Sequence, residues 1–384
     1  MKSSPRGIAH VLAYMRASRT VIEWIRGARS FALISGAIES GILPLLASEV
    51  TADQIAAATG GSAERLSDFL AALVAHGIVQ RAGPCFRLAP DYAFLASPSA
   101  AIPLSSLIRY AAIMNHAVET LGAGGEAYTE LASADVVTVA EGSGISALSA
   151  AGRVSVESIG ATLPEVRACW IAGAHHLEVG CGVGNALLGI VSRHPDVTAV
   201  GLEIDESVAT ECRRRSELLQ LADRTEVRAM DACDLSDDSC YDTIQWSQFF
   251  FPDSARIPVL NAMLRALKPG GYLFAPLLET DAGRLRSHRG EMMRMTLRAL
   301  LARRPGFAPY LSDAIGDNRK RRKEEQRAAA LNRMIFKGWG VPVRTVAELT
   351  SEVASSGFVV VAVRRSPVNQ FALTRYFLLA RRPS

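Results

Sequence analysis

His176-Leu177-Glu178-Val179-Gly180-Cys181-Gly182-Val183-Gly184-Asn185 carries the strongest structural signal in the chain. Apolar residues lead into an acid, and glycines then fall at every second place. The apolar run Ala186–Val191 follows with helix character. This pattern predicts a strand, a tight glycine turn and a helix start, a geometry that brings backbone N–H groups close to a ligand. Val197–Glu203 predicts a second strand, ending in an acid about 20 residues past the glycines, where a carboxylate can accept from both hydroxyls of a ribose. The dinucleotide fingerprint G-x-G-x-x-G needs a sixth-place glycine, and that place is Asn185. Thr225–Met230 predicts a third strand running into Asp231-Ala232, suited to an adenine amine and ring nitrogen.

A ribose and an adenine without a pyrophosphate describe S-adenosylmethionine. Residues 175–281 resemble a class I S-adenosylmethionine-dependent methyltransferase domain. The resemblance rests on Glu178-x-Gly180-x-Gly182-x-Gly184, Glu203, Asp231-Ala232, a fourth strand Tyr241–Trp246, and Leu267-Lys268-Pro269-Gly270-Gly271 before a fifth strand. It implies a Rossmann-like α/β sheet, mostly parallel with an antiparallel C-terminal hairpin. It also implies a cofactor lying across the carboxyl ends of the strands. Gly180, Gly182 and Gly184 would let the backbone approach the methionine portion, and Glu178 would hold its amino end. Glu203 would take the ribose, and Asp231 with Ala232 the adenine. Asn185, Trp246 and Ser247 are expected on the same cofactor surface.

Length and composition bound the rest. A chain of 384 residues, 49% hydrophobic, has room for two domains and a large core. Its apolar stretches are broken every few residues, so no membrane span and no secretory segment is expected, and the protein reads as cytoplasmic. Six cysteines show no C-x-x-C pair or metal spacing, and no metal is expected. A net charge of +4 is too small to argue nucleic-acid binding by itself.

Residues 8–40 have helical periodicity, and Thr51-Ala52-Asp53-Gln54 offers a capping box for a following helix. A second helix begins at Ser62, and Ile78–Leu88 reads as a β-wing turning at Ala82-Gly83-Pro84. This winged-helix pattern fits either DNA binding or a scaffold. The second helix carries one Arg, one Glu and one Asp, whereas DNA readout wants Arg, Lys, Asn and Gln. The segment is similar to the N-terminal dimerisation domain of small-molecule O-methyltransferases of plants and bacterial natural-product pathways. That resemblance implies a homodimer without nucleic-acid or membrane partners. The expected organisation is a winged-helix-like domain at 1–102, a helical linker bordering the acceptor at 103–170, and a cofactor-binding domain at 171–384. Asn115 and His116 on the helix Leu104–Leu121 are pocket candidates, His116 also a candidate base. Residues 126–160, rich in Ala, Ser, Gly and Val, read as a loop around Glu141-Gly142-Ser143-Gly144.

Methyl transfer needs the acceptor held in line with the sulfonium methyl, a dry site and sometimes a base. The resembled plant-type enzymes place a histidine just past the fourth strand. Here no histidine lies between His194 and His288, and Gln248 falls near that position. An amide is no base at neutral pH, so Gln248 is expected only to orient the acceptor. Either the acceptor is acidic, anionic, an amine or a carbon nucleophile, or the base comes from elsewhere. Phe249, Met292 and Met295 are further pocket candidates. An insertion at 282–345 is strongly basic, with 15 Lys or Arg against five Asp or Glu over 282–340. Such a surplus is either a solvated surface or a site for an anionic acceptor. The expectation is a small-molecule methyltransferase of secondary metabolism. Its rivals are a non-methylating enzyme on the same scaffold and a cofactor-sensing regulator.

Overall fold

The computed structural model describes residues 5–97, 100–120, 124–125, 127–278, 330–365 and 374–384. The chain divides into two units, Met1–Ser97 and Pro98–Ser384. Met292, Met295 and most of the basic insertion lie outside the described residues.

The first unit begins with α1 (Pro5–Glu39), closed at Gly41, whose φ of +72° suits glycine. Short α2 (Ile42–Leu45) and β1 (Val50–Thr51) follow. The capping box forms as read: Thr51 Oγ1 accepts from Gln54 N at 3.3 Å, and Thr51 N donates to Gln54 Oε1 at 2.8 Å, opening α3 (Ala52–Thr59). In α4 (Ala63–Ala75), Leu66, Leu70 and Leu73 turn inward at helical spacing. The hairpin β2 (Val79–Ala82) and β3 (Cys85–Leu88) pairs antiparallel, β3 also pairing with β1, and α5 (Pro90–Ala96) ends the unit.

The second unit is a seven-stranded sheet in the order β6-β5-β4-β7-β8-β10-β9. Its strands are β4 (His175–Val179), β5 (Thr198–Glu203), β6 (Thr225–Ala229), β7 (Tyr241–Trp246), β8 (Leu267–Leu278), β9 (Val359–Arg365) and β10 (Thr374–Arg381). The first five run parallel, and β10 lies antiparallel to both β8 and β9. β4 sits inside the sheet and is covered on both faces, so Leu177 and Val179 are fully buried. One face packs against α12 (Asp253–Ala266) and α14 (Val346–Ser355). The other packs against α8 (Ala150–Thr162), α9 (Pro164–Ile171) and α10 (Leu187–Arg193). Trp170 settles on the sheet, edge-on to His176 and Phe274. His176 is buried neutral, its Nδ1 2.8 Å from Thr243 Oγ1, and burial pushes its pKa down to about 3.

Two expectations are corrected. Residues 133–142 and 150–162 are helices, α7 (Ser133–Gly142) and α8, instead of a loop. Their small residues serve close packing: a Cβ at Gly152 would lie 2.4 Å from the Ser146 carbonyl oxygen. The Lys268–Gly271 segment is an irregularity within β8, where pairing jumps from Tyr241 opposite Leu267 to Thr243 opposite Tyr272. α6 (Leu104–Thr120) and a helix over 330–338, α13, share an apolar cluster of Met114, Val139, Ile335, Phe336 and Trp339.

Candidate functional site

At or just past the carboxyl ends of β4, β5, β6 and β7, Glu178, Glu203, Asp231 and Ser247 surround a cavity of about 430 Å³. Parallel strands place their carboxyl ends on one edge of the sheet, so four sequence-distant polar positions converge without further instruction. The chain leaves β4 through Gly180 and Gly182 at φ +75° and +56°, left-handed conformations that favour glycine. At Gly180 a Cβ would stand 3.0 Å from the Phe251 ring, whereas at Gly182 its nearest neighbour would be Ala140 Cβ at 3.8 Å. Backbone therefore forms the cavity surface at both positions.

Three carboxylates reach this surface in different states. Glu178 is 2% exposed; its Oε1 accepts from Gln245 Nε2 and Ser247 Oγ, both at 3.1 Å, while Oε2 is buried with no partner. Burial pushes the Glu178 carboxyl up to about 8, against the pull of the Ser247 hydroxyl and, too far or too oblique for a full hydrogen bond, the Leu187 backbone N–H. Glu203 is satisfied by the backbone instead. Its Oε2 accepts from Gly182 N at 2.9 Å, and its Oε1 from Ile204 N at 2.9 Å and Asp205 N at 3.2 Å. It thus braces the glycine turn, and burial raises its pKa against those bonds. Asp231 is exposed, its Oδ1 capping Cys233 N at 2.8 Å, with Ala232 beside it.

The opposite side of the cavity is largely aromatic. Tyr128 stacks tilted on Phe250 at 4.5 Å and packs near Trp339. Burial, with the charges of Glu203 and Asp205, raises the Tyr128 hydroxyl pKa, keeping it a donor. Phe249 and Phe251 also line the cavity. The segment carrying them is held from behind by Arg256, which is fully buried. Its Nε and Nη2 donate to both oxygens of Glu352, at 2.8 and 2.7 Å. Its Nη1 donates to the Gln248 carbonyl at 2.9 Å, and the guanidinium lies 4.6 Å from the Trp246 ring centroid.

The cavity brings together Glu178, Gly180, Gly182, Asn185, Glu203, Asp231, Ala232, Ser247 and Phe249. Other expected residues lie elsewhere. Gly184 faces α11 (Glu206–Leu218), where its Cβ would meet Cys212 Sγ at 2.6 Å, so this glycine serves helix packing. Trp246 is fully buried beneath the cavity between Phe251 and Arg256. Gln248 is buried and not among the residues lining the cavity: its Nε2 donates to the Pro276 carbonyl at 3.1 Å, and its Oε1 accepts from Arg256 at 3.1 Å. Asn115 and His116 are exposed on α6, and His116 borders a separate cavity of about 230 Å³. Sequence reasoning missed Tyr128, Gln245 and Arg256. Only Gln245 left a usable signal, since aligning β7 on β4 sets it opposite Glu178.

A buried acceptor without a donor, in the wall of a cavity, fits a cationic group arriving with a ligand. With Glu203 and Asp231 on the same cavity, the acids present are compatible with the amino end and nucleoside of S-adenosylmethionine. Residues 177–271 match the family described as a methyltransferase domain. No curated protein matches the chain in sequence. Among solved structures, mitomycin 7-O-methyltransferase is similar with a TM-score of 0.63 and 18% identity, over 97% of this chain and 99% of that one. The N,N-8-amino-8-demethyl-D-riboflavin dimethyltransferase of Streptomyces davawensis gives 0.62 and 16%, over 96% and 99%. Human N-acetylserotonin methyltransferase, solved with its S-adenosylmethionine, gives 0.60 and 15%, over 96% and 98%. At these identities the likeness is one of fold, and it extends over nearly the whole chain.

Proposed function

We propose that this methyltransferase moves a methyl group from S-adenosylmethionine to a small-molecule acceptor, in the manner of secondary-metabolite tailoring. The observation that carries the reading is the unpartnered, buried Oε2 of Glu178 beside the open backbone of Gly180 and Gly182. The structural neighbours are named for mitomycin, an aminoriboflavin derivative and N-acetylserotonin, which supports a small acceptor. When bound, the cofactor supplies an electrophilic methyl on a sulfonium.

The chain's own residues bind and orient. Glu178 would neutralise the ammonium, Glu203 would accept from the ribose while bracing Gly182, and Asp231 would meet the adenine amine. Phe249 and Phe250 with Tyr128 would exclude water from the acceptor side, so catalysis rests on positioning and desolvation. Among the described lining residues there is no Lys, Arg or His, so no basic side chain there favours an anionic acceptor. The methylated atom is O, N or C.

A homodimer is part of the same proposal. α1 exposes Tyr14 at 74% and Trp24 at 69%, apolar surface that a second copy of the chain would cover. Among the described residues no helix is long and apolar enough to cross a membrane, compatible with work in the cytoplasm.

Calorimetry tests the cofactor assignment: S-adenosylhomocysteine should bind where NAD and ATP do not, and the reverse result sinks it. With an acceptor in hand, S-adenosylhomocysteine should accumulate in step with methylated product. Product formed without it would point to a non-methylating use of the scaffold.

A further inference from the structure

α11 carries Arg213, Arg214 and Arg215 in succession, and helical geometry sends them in different directions. Arg213 and Arg214 pair with Glu206 and Glu211 near the surface. Arg215 turns inward, its side chain 6% exposed. Its Nη2 donates to Glu141 Oε1 at 2.5 Å, its Nε to Glu211 Oε1 at 2.7 Å, and its Nη1 to Asn185 Oδ1 at 3.3 Å. Glu141 in turn accepts from Ser106 Oγ of α6 at 2.7 Å. One buried cation thus joins α6, α7 and α11 to the last residue of the glycine turn.

The consequence for Asn185 is chemical. A guanidinium only donates, so the amide oxygen must face Arg215 and the NH2 must face away. Asn185 lines the cavity beside Gly144, so the NH2 is the part of its amide left to meet a ligand there. Gly144, two residues past α7, packs close on that NH2, since a Cβ there would stand 2.8 Å from Asn185 Nδ2. Glu178 lines the same cavity, and its Oε2 is buried without a side-chain donor. An amino-acid end needs both: a carboxylate for its ammonium and a donor for its carboxylate.

We propose that Arg215 is a positioning residue that holds the Asn185 amide as donor to the carboxylate of the cofactor's amino-acid end. This rests on the S-adenosylmethionine reading above. Arg215 touches no ligand itself; it acts through Asn185, while its pairing with Glu141 keeps α7 against the turn.

The test compares S-adenosylhomocysteine with 5′-methylthioadenosine, which lacks the amino-acid end, by calorimetry on the full chain. Arg215→Lys keeps the charge among Glu141 and Glu211 but loses the planar fork. Asn185→Asp keeps a partner for Arg215 and removes the donor. Each variant should weaken S-adenosylhomocysteine about tenfold or more, the scale of one lost bond to a charged group, and leave 5′-methylthioadenosine within about twofold. Arg215→Lys combined with Asn185→Ala should bind no worse than Asn185→Ala alone, as residues acting through one contact are not additive. A parallel fall for both ligands, or additive losses, overturns the proposal and leaves the cofactor assignment standing. Should Arg215→Lys fail to fold, Asn185→Asp decides by the same ratio. Unaltered protein that binds neither ligand overturns the cofactor assignment and this proposal together.

Discussion

The two sides of the cavity are built on different principles. The strand-end side, with Glu178, the glycine turn, Glu203 and Asp231, is polar: Glu203 and Asp231 accept from backbone N–H groups, and Glu178 from the Gln245 and Ser247 side chains. The facing side, with Tyr128 and Phe249–Phe251, is aromatic and is held from behind by the Arg256–Glu352 pair and the apolar cluster around Trp339. Motif spacing encodes the first; tertiary packing alone encodes the second. Damage to the first should therefore read out in cofactor affinity, and damage to the second in stability and acceptor handling.

The largest effect should come from Arg256→Met, which leaves Glu352 without its bidentate partner inside the core. Losing one member of a buried pair costs about 3–5 kcal/mol, and denaturant unfolding should show it. Arg256→Met with Glu352→Leu should recover much of that loss. A free energy unchanged in the single variant breaks the comparison, because the aromatic side would then need no anchor.

Next in size are the glycines, which separate packing from site. Gly184→Ala should cost about 2–5 kcal/mol, adding left-handed strain to a clash with Cys212 and Leu188. Gly182→Ala has room for its Cβ and should cost about 1–2 kcal/mol from backbone conformation alone. Its effect should fall more on S-adenosylhomocysteine affinity than on melting temperature.

Glu203→Ala should weaken S-adenosylhomocysteine about a hundredfold, because it removes both the ribose acceptor and the brace on Gly182; two charge-assisted bonds are of that order. Unchanged affinity by calorimetry would mean that the carboxylate serves the turn and not the ligand.

Glu178 gives the subtlest readout. Its folded pKa, about 8, lies above its ordinary value of 4.5, so it holds a proton at neutral pH in the free protein. The raised value stabilises the fold at low pH, and that contribution fades as pH climbs from about 4.5 through about 8. An arriving ammonium favours the charged form, so binding should release a proton within that window. Apparent affinity should then rise with pH and level off above about 8. Heats measured in buffers of different ionisation enthalpy report the proton, and Glu178→Gln should abolish the difference.

What was legible in the chain follows the same division. The strand ending in Glu178, the left-handed Gly180 and Gly182, and the acids Glu203 and Asp231 stand within a few residues of one another or at repeated intervals, so spacing alone revealed them. Gly184 belonged to the same motif yet serves Cys212, because a glycine pattern does not say which neighbour needs the space. Gln248 looked like a site residue from its place after β7, but it is buried, with its amide turned to Arg256 and Pro276. Tyr128 lies beyond any motif and reaches the cavity only through its packing on Phe250 and Trp339. The small-residue helices α7 and α8 resembled a loop because close packing and flexibility both select Gly, Ala and Ser.

α11 sets a constraint of another kind. Val208, Cys212 and Arg215 follow each other by four and three places, so one helical stripe meets Val183, Gly184 and Asn185 in turn. Inserting or deleting a single residue upstream in that helix would swing the stripe by about 100° and strip all those meetings at once. The register of this segment should therefore tolerate substitution far better than any change in its length.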